Sequence, residues 1–274
     1  MRALTTQSVD IALPFETLSR KRRLGRRGGA SHMADAPPLR DVRLFAVVDD
    51  ATLDRLALEA KIESFEDGGV IFRQGDPVTA FVVVVSGYVK LLRTAANGDE
   101  TLIAIRADGE SVGDAPSGSG ETCGVSAEAV GPVAVLKLPA GRFARVMRES
   151  PALCAAMMQD AKERIASLTA EIESLKGQNA DQRLARFILS LCPPGEERCR
   201  FRLPYDKRLI AERLGVKQET LSRAFAKLRE IGVGAETREV RVESVTRLAE
   251  QCEDLGRSAR LPSEREGRNA SKRA

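Results

Sequence analysis

Ser222 and Arg223 stand three and four residues beyond Glu219. On a helix, residues so spaced share one side. Ala226 joins them there, while Leu221, Ala224, Phe225 and Leu228 gather opposite. An Arg on such a face can donate two hydrogen bonds to guanine O6 and N7, and a Glu can accept from cytosine N4. Small residues beside them let the face slide into a DNA major groove. Thr220 and Ser222 suit phosphate contacts near a helix N-terminus, where backbone N–H groups attract anions. Lys217, Lys227 and Arg208 add positive charge, and Gln218 is a further supporting residue. Glu219, Ser222 and Arg223 are therefore the candidate base readers.

A face of this kind works only if a second helix holds it at a fixed angle. Lys207–Leu214 and Lys217–Arg229 supply two helices. Ala211 is small enough for a close crossing. Gly215 follows four residues later, where a tight turn uses positive φ. Leu221 comes six residues after that, on the inner face of the next helix. Leu209, Ile210, Leu214 and Val216 complete the core. The spacing fits a helix-turn-helix.

Upstream, Pro151–Lys176 predicts one long helix. Met158, Ala161, Ile165, Leu168, Ile172 and Leu175 alternate at steps of three and four, with charged residues between them. So narrow an apolar seam suits a two-stranded coiled coil, and so a homodimer. Before it, short strands are expected at Ile62–Phe65, Val70–Arg73, Ala80–Val85, Tyr88–Thr94, Thr101–Arg106, Val125–Val130 and Val133–Leu138. Turns at Ser86-Gly87, Asn97-Gly98 and Gly131-Pro132 separate several of them, and Asn97-Gly98 reads as a type I′ hairpin turn. A short helix near Asp50, capped by that residue, precedes them. Strands spaced this way predict a small antiparallel barrel or roll.

The fold class expected is α+β. An antiparallel β-roll over 41–150 precedes a dimerisation helix over 151–177. A winged helix-turn-helix over 178–250 ends in a small hairpin. Residues 1–40, with Arg20–Arg23 and Arg26-Arg27, are expected to form a disordered basic leader, and 251–274 a disordered tail.

A roll, a dimer helix and a C-terminal helix-turn-helix, in that order, resemble the CRP/FNR family of bacterial transcription regulators over roughly 44–242. Phe72-Arg73-Gln74-Gly75-Asp76 and Ser86-Gly87-Tyr88-Val89-Lys90-Leu91 look like the family's roll signature. Val112-Gly113-Asp114 and Ser126-Ala127-Glu128-Ala129 look like its effector cassette, which makes Gly113, Asp114, Ser126 and Ala127 effector-site candidates. Glu219-Thr220-Leu221-Ser222-Arg223 is similar to the recognition helix of the FNR and Dnr-like branches. The resemblance implies double-stranded DNA with TTGAT-type half-sites, a small effector of unknown identity and RNA polymerase as a partner. Five Cys, thinly spread and odd in number, predict reduced thiols and a cytoplasmic location. A ligand-binding regulatory module that never touches DNA is the alternative.

The residues narrow the effector. In the cyclic-AMP-binding members a Glu holds the ribose and an Arg pairs with the phosphate. Asp114 stands at the first position here and Gly124 or Val125 at the second. No Lys or Arg occurs between Ala107 and Leu136. A buried phosphate without a cation is costly, which argues against cyclic AMP. No Cys precedes Cys123, and Cys192 and Cys199 lack a second pair, which argues against an iron–sulfur cluster or zinc. The resemblance to Dnr-like regulators brings in haem. The single His, His32, lies in the leader, so ligation would fall to a Cys thiolate, a Met or an N-terminal group, with Cys123 and Cys154 as the candidates.

The remaining function classes are poorly served. Without a second His no Cys–His pair can form in the folded body, and no carboxylate pair stands out, so an enzyme is not expected. Ala115–Thr122 resembles a phosphate-binding loop but carries Glu121 where the Lys belongs. The net charge of +4 over 274 residues is compatible with nucleic acid. The most apolar stretch, Phe81–Val85, is cut off by Ser86 and Gly87, far short of the roughly 20 residues a membrane span needs.

Overall fold

The computed structural model describes residues 39–113, Pro116 and 120–253. The expected leader up to residue 38, His32 and Asp114 lie outside the described residues, as does the expected tail from 254. Two compact units divide at Leu168 and Thr169.

The first unit opens with 3-10 turns at Leu39–Asp41 and Arg43–Phe45, then α1 (Asp50–Ala57). Leu39 is buried, so the end of the span expected to be leader belongs to the folded unit. Asp49, not Asp50, caps α1: its carboxylate accepts from the Thr52 amide at 2.9 Å. Six strands follow: β1 (Lys61–Phe65), β2 (Val70–Phe72), β3 (Ala80–Thr94), β4 (Glu100–Arg106), β5 (Ser111–Val112) and β6 (Ser126–Pro139). All pair antiparallel, in the order β1-β6-β3-β4, with β2 on β6 and β5 on β3.

Two expected turns are not turns. β3 runs through Ser86-Gly87 and β6 through Gly131-Pro132, and the pairing register shifts between Val84 and Tyr88. Gly87 has φ +95°, and a Cβ there would lie 2.6 Å from the Pro132 carbonyl oxygen. The glycine thus permits a bulge and a close approach of two strands, and a bulge uses the same residue a turn does. Asn97-Gly98 does lie in the β3–β4 hairpin. Only Gly98 has positive φ there, so the turn is not type I′, which needs it at both positions.

The apolar run of β3 serves two cores at once. Phe81 and Val83 face a cluster with Phe45, Leu56, Leu138 and Phe143, and the Phe81 and Phe143 rings stack at 4.2 Å. Val82 and Val84 face the roll interior with Val89, Val112, Ala129 and Val135. A strand buried on both faces loses its polar alternation, which explains the continuous run. α2 (Ala140–Glu149), not anticipated from the sequence, supplies Phe143 and Val146 to the first cluster. α3 (Pro151–Gly177) closes the series as one 27-residue helix.

The second unit contains α4 (Ala180–Leu189), β7 (Cys199–Arg202), α5 (Lys207–Arg213), α6 (Gln218–Glu230), β8 (Val233–Glu236), β9 (Glu239–Val242) and α7 (Val245–Glu253). A capping box of Asn179 and Gln182 starts α4. The strands form a sheet in the order β7-β9-β8. β7 and α7 are additions to the expected hairpin, and the span expected as tail from 251 begins inside α7. Among the described residues no helix is long and apolar enough to cross a membrane.

Candidate nucleic-acid interface

α5 and α6 form the helix pair the spacing predicts. Asp206 caps α5 by accepting from the Leu209 amide at 2.8 Å. Gly215 makes the turn with φ +62°, and the Val216 amide bonds to the Ala211 carbonyl at 3.0 Å. A side chain at Gly215 would also press on Leu175, whose Cδ2 lies 3.2 Å from the Cβ position. Both φ and space therefore favour glycine.

α6 sorts its residues as its period requires. Leu221, Ala224, Phe225 and Leu228 are buried, whereas Gln218, Glu219, Ser222, Arg223, Ala226 and Lys227 are exposed. Thr220 is half-buried. Lys207 places its ammonium 5.0 Å from the Phe225 ring centre, tying the two helices together.

Among the described residues, neither Glu219 nor Arg223 forms an ion pair or a side-chain hydrogen bond. Their polar groups point outward, and no other described residue satisfies them. Ser222 differs, since its hydroxyl donates to the Gln218 carbonyl at 3.0 Å. Lys217 occupies the N-cap position of α6 without a capping side chain, so the first amides of the helix are open to an anion. Two supporting cations are already engaged. Arg208 donates to Glu212 at 3.2 Å, and Lys227 pairs with Asp181 of α4 at 2.5 Å.

The hairpin β8–β9 stands next along the chain. Thr237 takes φ +48° at its tip, and Arg238 reaches back to the Pro204 carbonyl at 3.1 Å, fixing the hairpin to the loop before α5. Glu197 accepts from Ser244 at 2.6 Å and Thr246 at 2.7 Å, which fastens the start of α7 and holds the Glu197 carboxyl below its ordinary range. Cys192 and Cys199 meet across the loop 193–198. Burial raises both thiols above the usual value, and the Cys192 thiol donates to the Ile188 carbonyl at 3.5 Å. Among the described residues no three His, Cys, Asp or Glu side chains cluster as a metal site.

On α3, the seam positions are open to solvent. Met158, Ile165, Leu168, Ile172 and Leu175 are all exposed large apolar residues, and Ala161 is exposed with them.

The effector-cassette candidates fall at different places in the first unit. Gly113 (φ +79°) packs 3.2 Å from the Phe72 ring at its Cβ position and borders a cavity of about 60 Å³ inside the roll. Cys123, Gly124 and Val125 line the same cavity. Ala127 is fully buried, and the Ser126 hydroxyl accepts from the Gln74 amide at 3.0 Å. Neither borders the cavity. Cys154 lies elsewhere, on α3, its thiol donating to the Met147 carbonyl at 2.9 Å. Sequence reasoning missed Arg164. Read as a solvent position of α3, it donates instead to the Ser111 carbonyl at 2.9 Å and the Gly113 carbonyl at 3.2 Å. No local pattern signals a contact made across 51 residues.

Comparison with known proteins places these parts. The family described as Cyclic nucleotide-binding domain matches residues 62–150, and Crp-like helix-turn-helix domain matches 182–251. The Global nitrogen regulator of Synechococcus elongatus is 30% identical over 179 residues, 63% of this chain and 81% of that protein. The Transcriptional activator protein anr of Pseudomonas aeruginosa is 28% identical over 201 residues, 72% of this chain and 81% of its own length. Among solved structures, a Ruegeria pomeroyi protein studied as a candidate cyclic nucleotide binding protein superposes with a TM-score of 0.59 at 36% identity, covering 79% of this chain and 96% of that one. FixK2 from Bradyrhizobium japonicum, 20% identical with a TM-score of 0.60 over 71% of this chain and 98% of its own, shares the fold. The chain belongs to the CRP/FNR family and is a DNA-binding transcription regulator.

Proposed function

We propose that the chain regulates transcription as a homodimer. The two α3 seams pair, and the two α6 helices enter successive major grooves about 34–36 Å apart. Glu219, Ser222 and Arg223 read the bases of a near-palindromic site with TTGAT and ATCAA half-sites. Lys217, Gln218, Thr220 and Arg208 bind or position the phosphates. The exposure of Glu219 and Arg223, without a partner among the described residues, carries this reading. A charged pair left open in a helix otherwise well packed is matched by the edges of a G·C pair.

The homodimer is supported by the heptad pattern and by the exposure of its residues. RNA polymerase is the further partner, in keeping with relatives named transcriptional activators. A small effector acts through the roll. The protein works in the cytoplasm, in keeping with five cysteines outside any disulfide.

The test is a binding titration of the full chain on a duplex carrying both half-sites one helical turn apart. Two protomers should bind per duplex, and affinity should fall steeply as salt rises, because phosphate contacts release counterions. A scrambled duplex should bind at least about 1,000-fold more weakly. Equal affinity for the two duplexes overturns the half-site reading, and one protomer per duplex overturns the dimer.

A further inference from the structure

The described residues contain three methionines, Met147, Met157 and Met158, and all three line one cavity together with Cys154. The cavity holds about 400 Å³, against about 60 Å³ inside the roll. Phe81 and Ala161 add apolar surface. Thioethers are flexible and polarizable, so a methionine-lined wall adapts to apolar guests of varied shape. The volume falls within the range of small-molecule sites, about 300–1,000 Å³, whereas the roll cavity falls well below it.

One end of the cavity is polar and electrically balanced. Arg164 Nε lies 3.0 Å from Asp160 Oδ2, and Ser111 Oγ donates to the same oxygen at 3.2 Å. The remaining guanidinium contacts go to the Ser111 hydroxyl and to the backbone carbonyls of Ser111 and Gly113. A guest that brought its own charge would have to break this pairing in a largely apolar surround. An uncharged guest need only offer one hydrogen-bonding group.

We propose that this cavity binds a small uncharged apolar molecule, aromatic or fused-ring, of roughly 12–20 non-hydrogen atoms with a single polar group directed at Ser111 and Asp160. We infer that it is the effector site of the sensor unit. Met158 and Ala161 belong both to the cavity wall and to the exposed seam of α3. A guest there lies beside the face on which the second copy would pack. It also abuts Arg164, which joins α3 to β5. Occupancy therefore bears on the dimer helix directly. This control of DNA binding rests on the homodimer reading above, and occupancy itself does not.

The experiment uses the full chain carrying [13C-methyl]methionine and the neutral probe N-phenyl-1-naphthylamine. The chain has five methionines, so the spectrum is simple. The methyls of Met147, Met157 and Met158 should shift along one saturable curve. Ala161→Phe should weaken binding at least tenfold. Gly124→Phe, which fills the roll cavity from a position with open space around its Cβ, should leave binding unchanged, and cyclic AMP should not displace the probe. The absence of a saturable shift overturns the site, as does loss of binding in Gly124→Phe with binding intact in Ala161→Phe. With the site occupied, affinity for the palindromic duplex should change at least threefold, and no change overturns the effector role. Probe binding to a protein that sediments as a monomer supports the site and removes the dimer reading instead.

Discussion

α6 and α3 carry the same kind of periodic apolar stripe and treat it in opposite ways. On α6 the stripe is inside, with Leu221 and Leu228 at 2% and 1% exposure. On α3 it is outside, with Met158 at 74% and Leu168 at 48%, and only Leu153 and Ala156 near its start are buried. An apolar stripe thus demands a partner surface without saying whether the chain's own domain provides it. The other face of each helix decides the matter. α6 turns small and polar groups outward near its N-terminus, while α3 surrounds its seam with charges, as a coiled coil does. On the reading proposed above, one helix meets nucleic acid and the other a second chain.

The strongest attack on this contrast is to charge the α3 seam. Leu168→Asp with Ile172→Asp should convert the dimer to a monomer in sedimentation. Affinity for the palindromic duplex should fall about 1,000-fold, toward non-specific binding. The second unit should melt as before, since the seam residues are exposed. A dimer that survives both substitutions would mean that the α3 stripe has another purpose.

The two ends of α3 should also separate. Leu153 is fully buried among the core of the first unit. Leu153→Ala should cost about 2–5 kcal/mol of stability by the cavity it opens, measured by denaturant unfolding. It should leave the oligomeric state alone. Leu168→Ala should do the reverse, changing the stability of the protomer by less than about 1 kcal/mol and weakening self-association.

On α6 the corresponding attack is Arg223→Ala. Discrimination at one G·C pair of each half-site should drop by about 1–3 kcal/mol, read by competition between matched and mutated duplexes. Affinity for the mutated duplex should hardly change, and the dimer should stay intact. A uniform loss across sequences would reassign Arg223 to the phosphate backbone.

What the sequence revealed of these elements divides along physical lines. The faces of α6, the turn at Gly215 and the extent of α3 follow from local period and from glycine, so they could be read. Gly87 and Gly131 could not be placed, because positive φ serves a bulge as well as a turn and only strand pairing distinguishes them. α2 was missed because ten residues with Gly141 second give a weak helical signal. The cap of α1 shifted by one residue because Asp49 and Asp50 are equal candidates until backbone geometry chooses. The larger cavity lies where α3 meets the roll, away from the segments the effector-cassette motif marks. Met157 and Met158 look like ordinary helix residues until Ser111 and Phe81 are brought against them, and Met147 belongs to the helix the sequence concealed.

The smallest expected effect concerns Lys227, whose charge the sequence offers to DNA while the structure directs it to Asp181. The lysine side chain is 67% exposed and the aspartate 17%. An ion pair with one partner so exposed contributes little, about 0–1 kcal/mol. Asp181 also sits in the first turn of α4, where the helix dipole favours a carboxylate without help. Lys227→Ala should therefore lower the melting temperature only slightly and leave the slope of log affinity against log salt unchanged. A phosphate-binding lysine behaves otherwise, its removal reducing that slope by about one unit and weakening all sequences alike. If the slope drops while the melting temperature holds, Lys227 leaves Asp181 on binding, and the positively charged surface of α6 extends one turn further than its free side chains indicate.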